Sequence, residues 1–324
     1  MKVIFPPKLK RGVHVRVVAP AKSFLPTFTE EKKLRAIQRL EDLGLQVSFG
    51  KYVYEIDEFE STTIKHRLVD LHDAFADKKV QLILAVHGGA TSNQLLKYLD
   101  YDLIKNNPKI LCGMSDITAL ANAIYTKTGL VTYSGPGFTI FGAEKQTDYT
   151  MSYFEQCLFA DEIIGVHASD FFCNKRFDKE EIKSDGFWAM HNGRAVGRAI
   201  GGNLITLNLL QGSDFMPNLS GSIVFLEDNA KENIRAVENH LQSLINQKMF
   251  HKVSGIIFGR FQSDSNMTKM LLKKIIKTKK ELDNIPILAN VDFGHTTPMI
   301  TFPIGGEVEL IVKGKGSVIH MIKH

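Results

Sequence analysis

Residues 80–86 read VQLILAV, a nearly continuous apolar run that begins and ends with a β-branched valine. A run of this kind is typical of a strand that is buried on both faces of a parallel sheet. The same strand pattern recurs on either side of it, and helical spacing of apolar residues fills the intervals. Strands are predicted at 13–19, 109–113 and 130–133, and helices at 30–43, 64–75 and 116–125. This alternation predicts an α/β fold with a doubly wound parallel sheet.

The alternation weakens between about residues 144 and 187, a polar stretch that includes the charged run from 175 to 183. A second α/β section starts near Arg194, and a chain of 324 residues fits two domains better than one. We therefore predict a linker in the polar stretch. The predicted division is an N-terminal α/β domain over 1–165, then the linker and a C-terminal α/β domain over 166–324.

The composition excludes several classes of protein. Hydrophobic residues make up 44% and charged residues 23%, as in a globular protein with a sizeable core. No apolar run approaches the roughly 20 residues that cross a bilayer, and the N-terminus lacks the apolar stretch of a secretory signal. We therefore predict a cytoplasmic protein without a membrane partner.

Metals, cofactors and nucleic acids are also not predicted as ligands. Cys112, Cys157 and Cys173 show no C-x-x-C spacing, and the eleven histidines form no H-E-x-x-H motif. The lysine-rich stretch at 269–280 alternates with apolar residues, as the wet face of an amphipathic helix does. No aromatic residues interleave with these lysines, so a nucleic-acid patch is the less favoured interpretation.

The segment ILCGMSDITAL at residues 110–120 combines a strand that ends at Gly113, a serine two residues later and a helix. This is the pattern of a nucleophile elbow, a sharp turn that lifts the serine hydroxyl clear of the sheet. The helix that follows directs backbone N–H groups at the site, so the N–H of Asp116 is a candidate oxyanion donor. Ile117 departs from the G-x-S-x-G pattern. The alternative interpretation is that Ser115 or Asp116 only caps the helix.

Two more candidate segments directly follow predicted strands. Gly88 and Gly89 follow the strand at 80–86, and paired glycines let the backbone approach a ligand closely, so they are candidates for a second oxyanion donor. A simple tight turn is the alternative, with His87 as a loop or packing residue. Glu227 ends the predicted strand at 222–226, at the edge where open α/β sheets build their sites. The alternative is that Glu227 only begins a turn.

His295 lies in the loop DFGHTTP at 292–298, between a glycine and a proline. A lone loop histidine is often structural, but the order Ser115, Glu227, His295 is the chain order of α/β-hydrolase triads. A serine hydroxyl needs a base, histidine titrates near neutrality, and a carboxylate fixes the imidazole tautomer. These three residues therefore predict a catalytic triad.

Short segments spread over almost the whole chain form an ordered set. They are KLKRG at 8–12, GG at 88–89, LLKYLDYD at 95–102, GMSDIT at 113–118, GGNL at 201–204, LED at 226–228 and GHTTP at 294–298. In this set the chain resembles the serine peptidases that comprise bacterial LD-carboxypeptidases and microcin C immunity proteins. That family often has Tyr or Phe where Met114 stands, a departure that leaves the mechanism untouched.

The resemblance implies a flavodoxin- or Rossmann-like N-terminal domain with the nucleophile and a smaller C-terminal α/β domain with the Glu and His. It places the active site between them, in a homodimer without metal or cofactor. Ser115 would attack the substrate carbonyl, and His295, oriented by Glu227, would move the proton. The N–H of Asp116 with that of Gly88 or Gly89 would form the oxyanion hole.

Two branches of the family imply different substrates. LD-carboxypeptidases release the terminal D-alanine of murein tetrapeptides, whereas the immunity enzymes cleave the amide between an aspartate and a modified nucleotide. The segments at 88–93 and 216–229 resemble the immunity branch more closely. That branch makes Asn93 and Trp188 candidates for substrate binding, with Trp188 stacking on a nucleobase. Trp188 as an anchor between domains is the favoured alternative.

Two other classes of protein remain as rivals. A dinucleotide-binding Rossmann protein is disfavoured, because the first strand runs into Pro20-Ala21-Lys22-Ser23 without a G-x-G-x-x-G motif. A non-catalytic small-molecule-binding module on the same fold would not need Ser115, Glu227 and His295 together. The resemblance implies a small peptide or a peptidyl nucleotide as the partner.

Overall fold

The computed structural model describes residues 2–230 and 233–324. The α-helices are α1 Glu30–Asp42, α2 Ile64–Ala76, α3 Tyr101–Asn106, α4 Ile117–Thr128, α5 Thr147–Phe159, α6 Leu204–Asn208, α7 Ile234–Ile245 and α8 Lys269–Lys277. The strands are β1 His14–Val18, β2 Gln46–Phe49, β3 Val80–Ala85, β4 Ile110–Gly113, β5 Thr132–Ser134, β6 Ile164–Val166, β7 Phe171–Phe172, β8 Ile182–Lys183, β9 Trp188–His191, β10 Gly193–Asn203, β11 Ser222–Glu227, β12 Gly255–Gly259, β13 Ile287–Val291, β14 Phe302–Ile304, β15 Glu307–Val312 and β16 Val318–Lys323. Within these ranges no helix has the length and apolar character that a membrane span requires.

The first sheet is six-stranded, in the order β14-β5-β4-β3-β1-β2. Its strands β1 to β5 run parallel, and β14 is antiparallel to β5. Five of the six residues of β3 are buried, as expected for a strand covered on both faces. The prediction of a doubly wound parallel sheet from residues 80–86 outward is confirmed.

The second sheet is eight-stranded, in the order β6-β16-β15-β10-β11-β12-β13-β9. Its centre, β10 to β13, is parallel, and the strands at both flanks are antiparallel. The mixed α/β architecture with two domains is therefore as predicted. In number of strands, however, the C-terminal sheet is the larger of the two, not the smaller.

The chain does not pass from the first sheet to the second at a single boundary. The predicted division after residue 165 falls inside β6, which already belongs to the second sheet, and β14 returns from the C-terminal half to the first. The predicted linker is wrong over α5, because Thr150, Tyr153 and Phe154 begin a buried helical stripe there. In the sequence, β14 lies between β13 and β15, which both belong to the second sheet, and only short stretches of chain separate the three strands. The sequence pattern therefore does not show that β14 belongs to the first sheet.

Helix α4 joins the two sheets. Ten of its twelve residues are buried, as expected for a helix that is covered on all sides. Asn122 Nδ2 donates to the carbonyl of Gly201 in β10 over 2.9 Å, and the Gly201 N–H donates to Asn122 Oδ1 over 3.2 Å. The rings of Phe225 and Phe302 stack at 4.2 Å between the sheets. These contacts bring the carboxyl ends of the two sets of parallel strands together.

Candidate active site

Ser115 lies in a sharp turn between the end of β4 and the start of α4. Its φ is +62°, in the left-handed region that side chains other than glycine rarely adopt. The turn is held by the N–H of Ile117, which donates to the Met114 carbonyl, and the N–H of Thr118, which donates to the Ser115 carbonyl. Strained backbone of this kind persists only where the surroundings enforce it, and it is common at functional sites. The local geometry is that of the predicted nucleophile elbow.

His295 lies between Ser115 and Glu227. Its Nε2 is 3.1 Å from Ser115 Oγ, and its Nδ1 is 2.7 Å from Glu227 Oε2. An ionised carboxylate only accepts hydrogen bonds, so Nδ1 carries the proton of the neutral ring and Nε2 is free to accept the serine proton. The structure therefore brings the three predicted residues into one hydrogen-bonded line.

Glu227 is held from several sides at the end of β11 and is only 4% exposed. A Cβ on Gly294, whose φ is +109°, would lie 2.7 Å from Glu227 Oε2, and a Cβ on Gly259 would lie 2.9 Å from Glu227 Cβ. Asn203 Nδ2 donates to Glu227 Oε1 over 3.3 Å. The carboxylate is therefore fixed in place toward His295 by close backbone on one side and an amide on the other.

The Gly88 loop is tied to the nucleophile turn through the side chain of Asp116. Asp116 Oδ2 accepts from the N–H groups of Thr91 and Ser92, each over 2.8 Å. Burial raises the pKa of Asp116, and these N–H donors oppose that rise. The Gly88 carbonyl accepts from the Lys22 N–H over 3.0 Å. Asp116 was singled out from the sequence for its backbone N–H, and its carboxylate additionally positions this loop.

Gly88 leaves no room for a side chain. A Cβ there would lie 2.7 Å from Ser115 Cβ, 3.0 Å from Ser115 Oγ and 3.4 Å from Asp116 N. The backbone of Gly88 therefore lies close to both the Ser115 side chain and the N–H of Asp116. The role of these groups as an oxyanion hole stays a prediction.

We expect Gly88→Ala to lower kcat by about 100-fold, because the added methyl group must push Ser115 away from His295 and small misplacements have costs of this size. Steady-state kinetics on a cleaved substrate measures the change. Gly316→Ala is the matched control, since a Cβ there has nothing within 4 Å. Equal kcat in the two variants would contradict the tight placement of Gly88.

These residues open onto a cavity of about 560 Å³. Ser115, Asp116, His295 and Gly89 line it, while Glu227 stands behind His295. The remaining lining residues come from both halves of the chain: Lys22, Phe59, Glu60, His87, Ala90, Thr91, Asn203, Ile205, Thr206, Leu209, Asn229, Ala230 and Gln262. Within residues 2–230 and 233–324, no three His, Cys, Asp or Glu side chains are grouped so that they could hold a metal ion.

The two predicted substrate-binding residues lie elsewhere. Asn93 is in the turn before α3, and Trp188 begins the edge strand β9, where its indole N–H donates to Asp185 Oδ2 over 2.8 Å. Neither residue lines the cavity. Asn93 and Trp188 therefore have no contact here that supports their predicted roles, and those roles stay predictions.

Asn203 was not assigned from the sequence, although the GGNL motif contains it. It ends β10 directly beside Glu227 in the register of the parallel pair, and its Oδ1 accepts from the N–H of Thr206. Its position could have indicated a functional role, because it is a polar residue at the carboxyl end of a parallel strand, at the same edge of the sheet as Glu227. Its pairing with Glu227 depends on strand register, which the sequence did not specify.

Serine hydrolases use a serine, a histidine and a carboxylate in line, and here the strained serine and the histidine line a cavity. Family models described as the LD-carboxypeptidase N-terminal domain and C-terminal domain match residues 15–135 and 196–310. YocD of Bacillus subtilis, which bears the name of a carboxypeptidase, is 46% identical over 98% of this chain and 99% of its own. The chain belongs to the S66 family of serine peptidases, the LD-carboxypeptidases.

Proteins of the immunity branch are also similar to this chain. The microcin C7 self-immunity protein MccF of Escherichia coli is 34% identical over 84% of this chain and 83% of its own. An MccF-like protein from Bacillus anthracis superposes with a TM-score of 0.97 at 45% identity, over 99% of this chain and all of that one. A structure of MccF in complex with aspartyl sulfamoyl adenosine superposes with a TM-score of 0.89 at 29% identity, over 99% of both chains.

Proposed function

We propose that this protein is a serine amide hydrolase that cleaves peptidyl or aspartyl nucleotides of the microcin C type, with Ser115 as nucleophile. The observation that carries the proposal is the hydrogen-bonded line from Ser115 through His295 to Glu227, at 3.1 and 2.7 Å, at the wall of the cavity. MccF, a relative along most of the chain, is known in complex with aspartyl sulfamoyl adenosine.

In the first half of the reaction, Ser115 Oγ attacks the carbonyl carbon of the scissile amide while His295 Nε2 takes the hydroxyl proton. Glu227 stabilises the imidazolium that forms. The N–H of Asp116 with that of Gly88 or Gly89 receives the oxyanion. His295 then returns the proton to the leaving nitrogen, the C–N bond breaks, and an acyl ester remains on Ser115.

In the second half, water replaces the amine. His295 takes a proton from a water molecule, whose oxygen attacks the acyl carbon. Collapse of the second tetrahedral intermediate breaks the ester bond, and the proton on His295 passes to Ser115 Oγ. The products are a free carboxylic acid and a free amine, and no cofactor takes part.

Release of terminal D-alanine from murein tetrapeptides is the second candidate activity. It is favoured by the description of both matching family models as LD-carboxypeptidase domains. Both reactions break an amide bond, so the same three residues serve either substrate.

Two substrates separate these activities: aspartyl sulfamoyl adenosine and a murein tetrapeptide that ends in D-alanine. We expect wild type to cleave the first, with products identified by mass spectrometry, and Ser115→Ala to leave it intact. Release of D-alanine alone would instead assign the protein to the murein substrate. If wild type cleaves neither substrate, the proposed activity is wrong.

A non-catalytic binding module is the alternative of another class. A serine-reactive phosphonate distinguishes it, because an activated Ser115 is labelled and an inert one is not. The strained φ of Ser115 and its contact with His295 support activation. The predicted cytoplasmic location and homodimer stay predictions.

A further inference from the structure

His87 is a cavity residue that the mechanism does not use. It follows β3 directly, precedes Gly88 and lines the same cavity as Ser115. Its ring stacks on Phe24, with centroids 4.5 Å apart and planes 11° from parallel. Stacking fixes the plane of the imidazole, so its two nitrogens have defined directions.

Arg176 determines which nitrogen of His87 carries the proton. Arg176 Nη1 lies 2.8 Å from His87 Nδ1, and Thr139 Oγ1 lies 3.0 Å from the same atom. A guanidinium can only donate, so Nδ1 must be the acceptor and the proton of the neutral ring is on Nε2. Because Arg176 and Thr139 contact Nδ1, the Nε2–H is the donor that this cavity-lining residue can offer to a ligand.

Burial and the charges around His87 keep its imidazole ring neutral. Burial, which is the largest cause, and the positive charges of Arg176 and Lys22 and the nearby His295 together lower the pKa of His87 to about 2. His87 is therefore a fixed hydrogen-bond donor throughout the neutral range, unlike a histidine that serves as a base.

Lys22 stands on the same wall of the cavity. Its ammonium lies 5.5 Å from the centroid of the Phe24 ring, whose neighbour is His87. Lys22 Nζ is paired with Glu60 Oε1 at 2.6 Å, but the Glu60 side chain is 65% exposed. A pair open to water on one side contributes little energy, so an anionic ligand can compete for the ammonium.

We propose that Lys22 and His87 form the subsite for the acidic oxygen group that the leaving nitrogen of the substrate carries. The inference rests on the proposed function, because it takes the bond at Ser115 to be an amide. In a peptide substrate the group is the terminal carboxylate, one carbon from the nitrogen. In an acyl sulfamate it is the sulfonyl group bonded to that nitrogen, whose oxygens share the negative charge when the N–H ionises. An ammonium and an N–H donor at one wall suit both groups.

Arg176 is a positioning residue in this subsite. It acts through His87, since its Nη1 holds Nδ1 as an acceptor. Its removal frees the ring to place a proton on Nδ1, which would turn an acceptor nitrogen toward the acidic group. The tautomer is directly visible in the ¹⁵N chemical shifts of the His87 ring.

Binding to the Ser115→Ala protein tests the subsite without turnover. The ligands are the murein tetrapeptide and its C-terminal carboxamide, and aspartyl sulfamoyl adenosine and aspartyl 5′-amino-5′-deoxyadenosine, which lacks the sulfonyl group. Calorimetry gives the four dissociation constants. We expect the acidic member of at least one pair to bind about tenfold more tightly, as hydrogen bonds to charged groups imply.

A second substitution, made in the Ser115→Ala protein, shows which residues cause the preference for the acidic ligand. We expect His87→Ala and Lys22→Met each to weaken the acidic ligand about tenfold and to leave its neutral analogue nearly unchanged. His87→Gln, which keeps an N–H donor, should retain part of the affinity, and Arg176→Met should shift the ¹⁵N signature of His87. The matched controls are the exposed residues His251→Ala and Lys273→Met.

The outcomes separate the subsite from the proposed function. Equal losses on acidic and neutral ligands, or no preference for either acidic ligand, would overturn the subsite even if wild type cleaves a substrate. A preference that depends on Lys22 and His87 supports the subsite even if wild type cleaves neither compound. The preferred pair shows whether the acidic group is a carboxylate or a sulfonyl.

Discussion

Ser115→Ala and His295→Ala should each lower kcat by about 10⁶-fold on the substrate that wild type cleaves. The serine supplies the nucleophile that attacks the substrate, and His295 Nε2, 3.1 Å from Ser115 Oγ, supplies its base. Because the two act as a unit, the double variant should lose little more than either single one. Burst and steady-state kinetics, with melting curves to show that each variant is folded, measure the effect.

Glu227→Gln should cost less, about 10⁴-fold, because the amide changes the tautomer of His295 without removing nucleophile or base. The order of the losses in kcat among the three variants tests the proposed mechanism most directly. Full activity in the Ser115→Ala protein would show that another residue attacks the carbonyl. A Glu227→Gln loss as large as that of His295→Ala would show that the carboxylate does more than orient the ring.

The strained turn at Ser115 predicts a difference in stability between two inactive variants. Ser115 has a φ of +62°, which is costly for any residue with a Cβ and free for glycine. Ser115→Gly should therefore be more stable than Ser115→Ala by about 1 kcal/mol, although both are inactive. Equal melting temperatures would show that the turn is not strained in solution.

A second large effect is expected at a buried ion pair behind the loop of His295. Arg260 follows β12 and Asp292 follows β13, and they are 3% and 0% exposed. Arg260 Nη2 lies 2.6 Å from Asp292 Oδ1, and Ser169 donates to both oxygens of the same carboxylate. The carbonyl of Asp292 also accepts from the N–H of Ile300, which closes the loop around His295.

Arg260→Met should lower the free energy of unfolding by about 3 to 5 kcal/mol. The substitution leaves the Asp292 carboxylate buried without its counter-ion, and an unpaired buried charge is expensive. Chemical denaturation followed by tryptophan fluorescence measures the loss. Because Asp292 lies in the same loop as His295, we also expect kcat to fall in the variant that remains folded.

Two further variants test the reason for that loss. Arg194→Met breaks a pair on the surface, where the Arg194 side chain is 71% exposed, and should have a much smaller effect. Arg260→Met combined with Asp292→Asn should recover part of the stability, since the second substitution removes the stranded charge. A double variant that is no more stable than Arg260→Met alone would argue against an electrostatic cause.

The elements that carry the nucleophile were predictable because their signals are local. An apolar run such as 80–86 shows a strand that is covered on both faces, and the strand, turn and helix around Ser115 lie within eleven residues of the sequence. The same reasoning failed at α5. Its buried stripe is interrupted by polar residues, so the segment resembles a linker, and its contacts come from residues distant in the sequence, such as the N–H of Leu9 on the Leu158 carbonyl and the N–H of Met299 on Thr150 Oγ1.

The candidate site was predictable as a set of residues but not as a geometry. Strand ends, glycine turns and the chain order of Ser115, Glu227 and His295 could be recognised without knowing which strands are neighbours. The contacts of Asn203 with Glu227 and of Arg176 with His87 could not, because each joins residues whose proximity depends on register or on the way the two halves pack.

Short-range physics, in the form of periodicity, turn chemistry and strand ends, was thus enough to specify the α/β class and the three residues of the proposed triad. Long-range packing decided the rest. The return of β14 to the first sheet, the burial of α4 between the sheets and the position of Trp188 away from the cavity all depend on contacts between distant segments. Such contacts form where the side chains of two apolar surfaces pack closely together. Close packing depends on the shapes of both surfaces, so it cannot be read from either segment of the sequence alone.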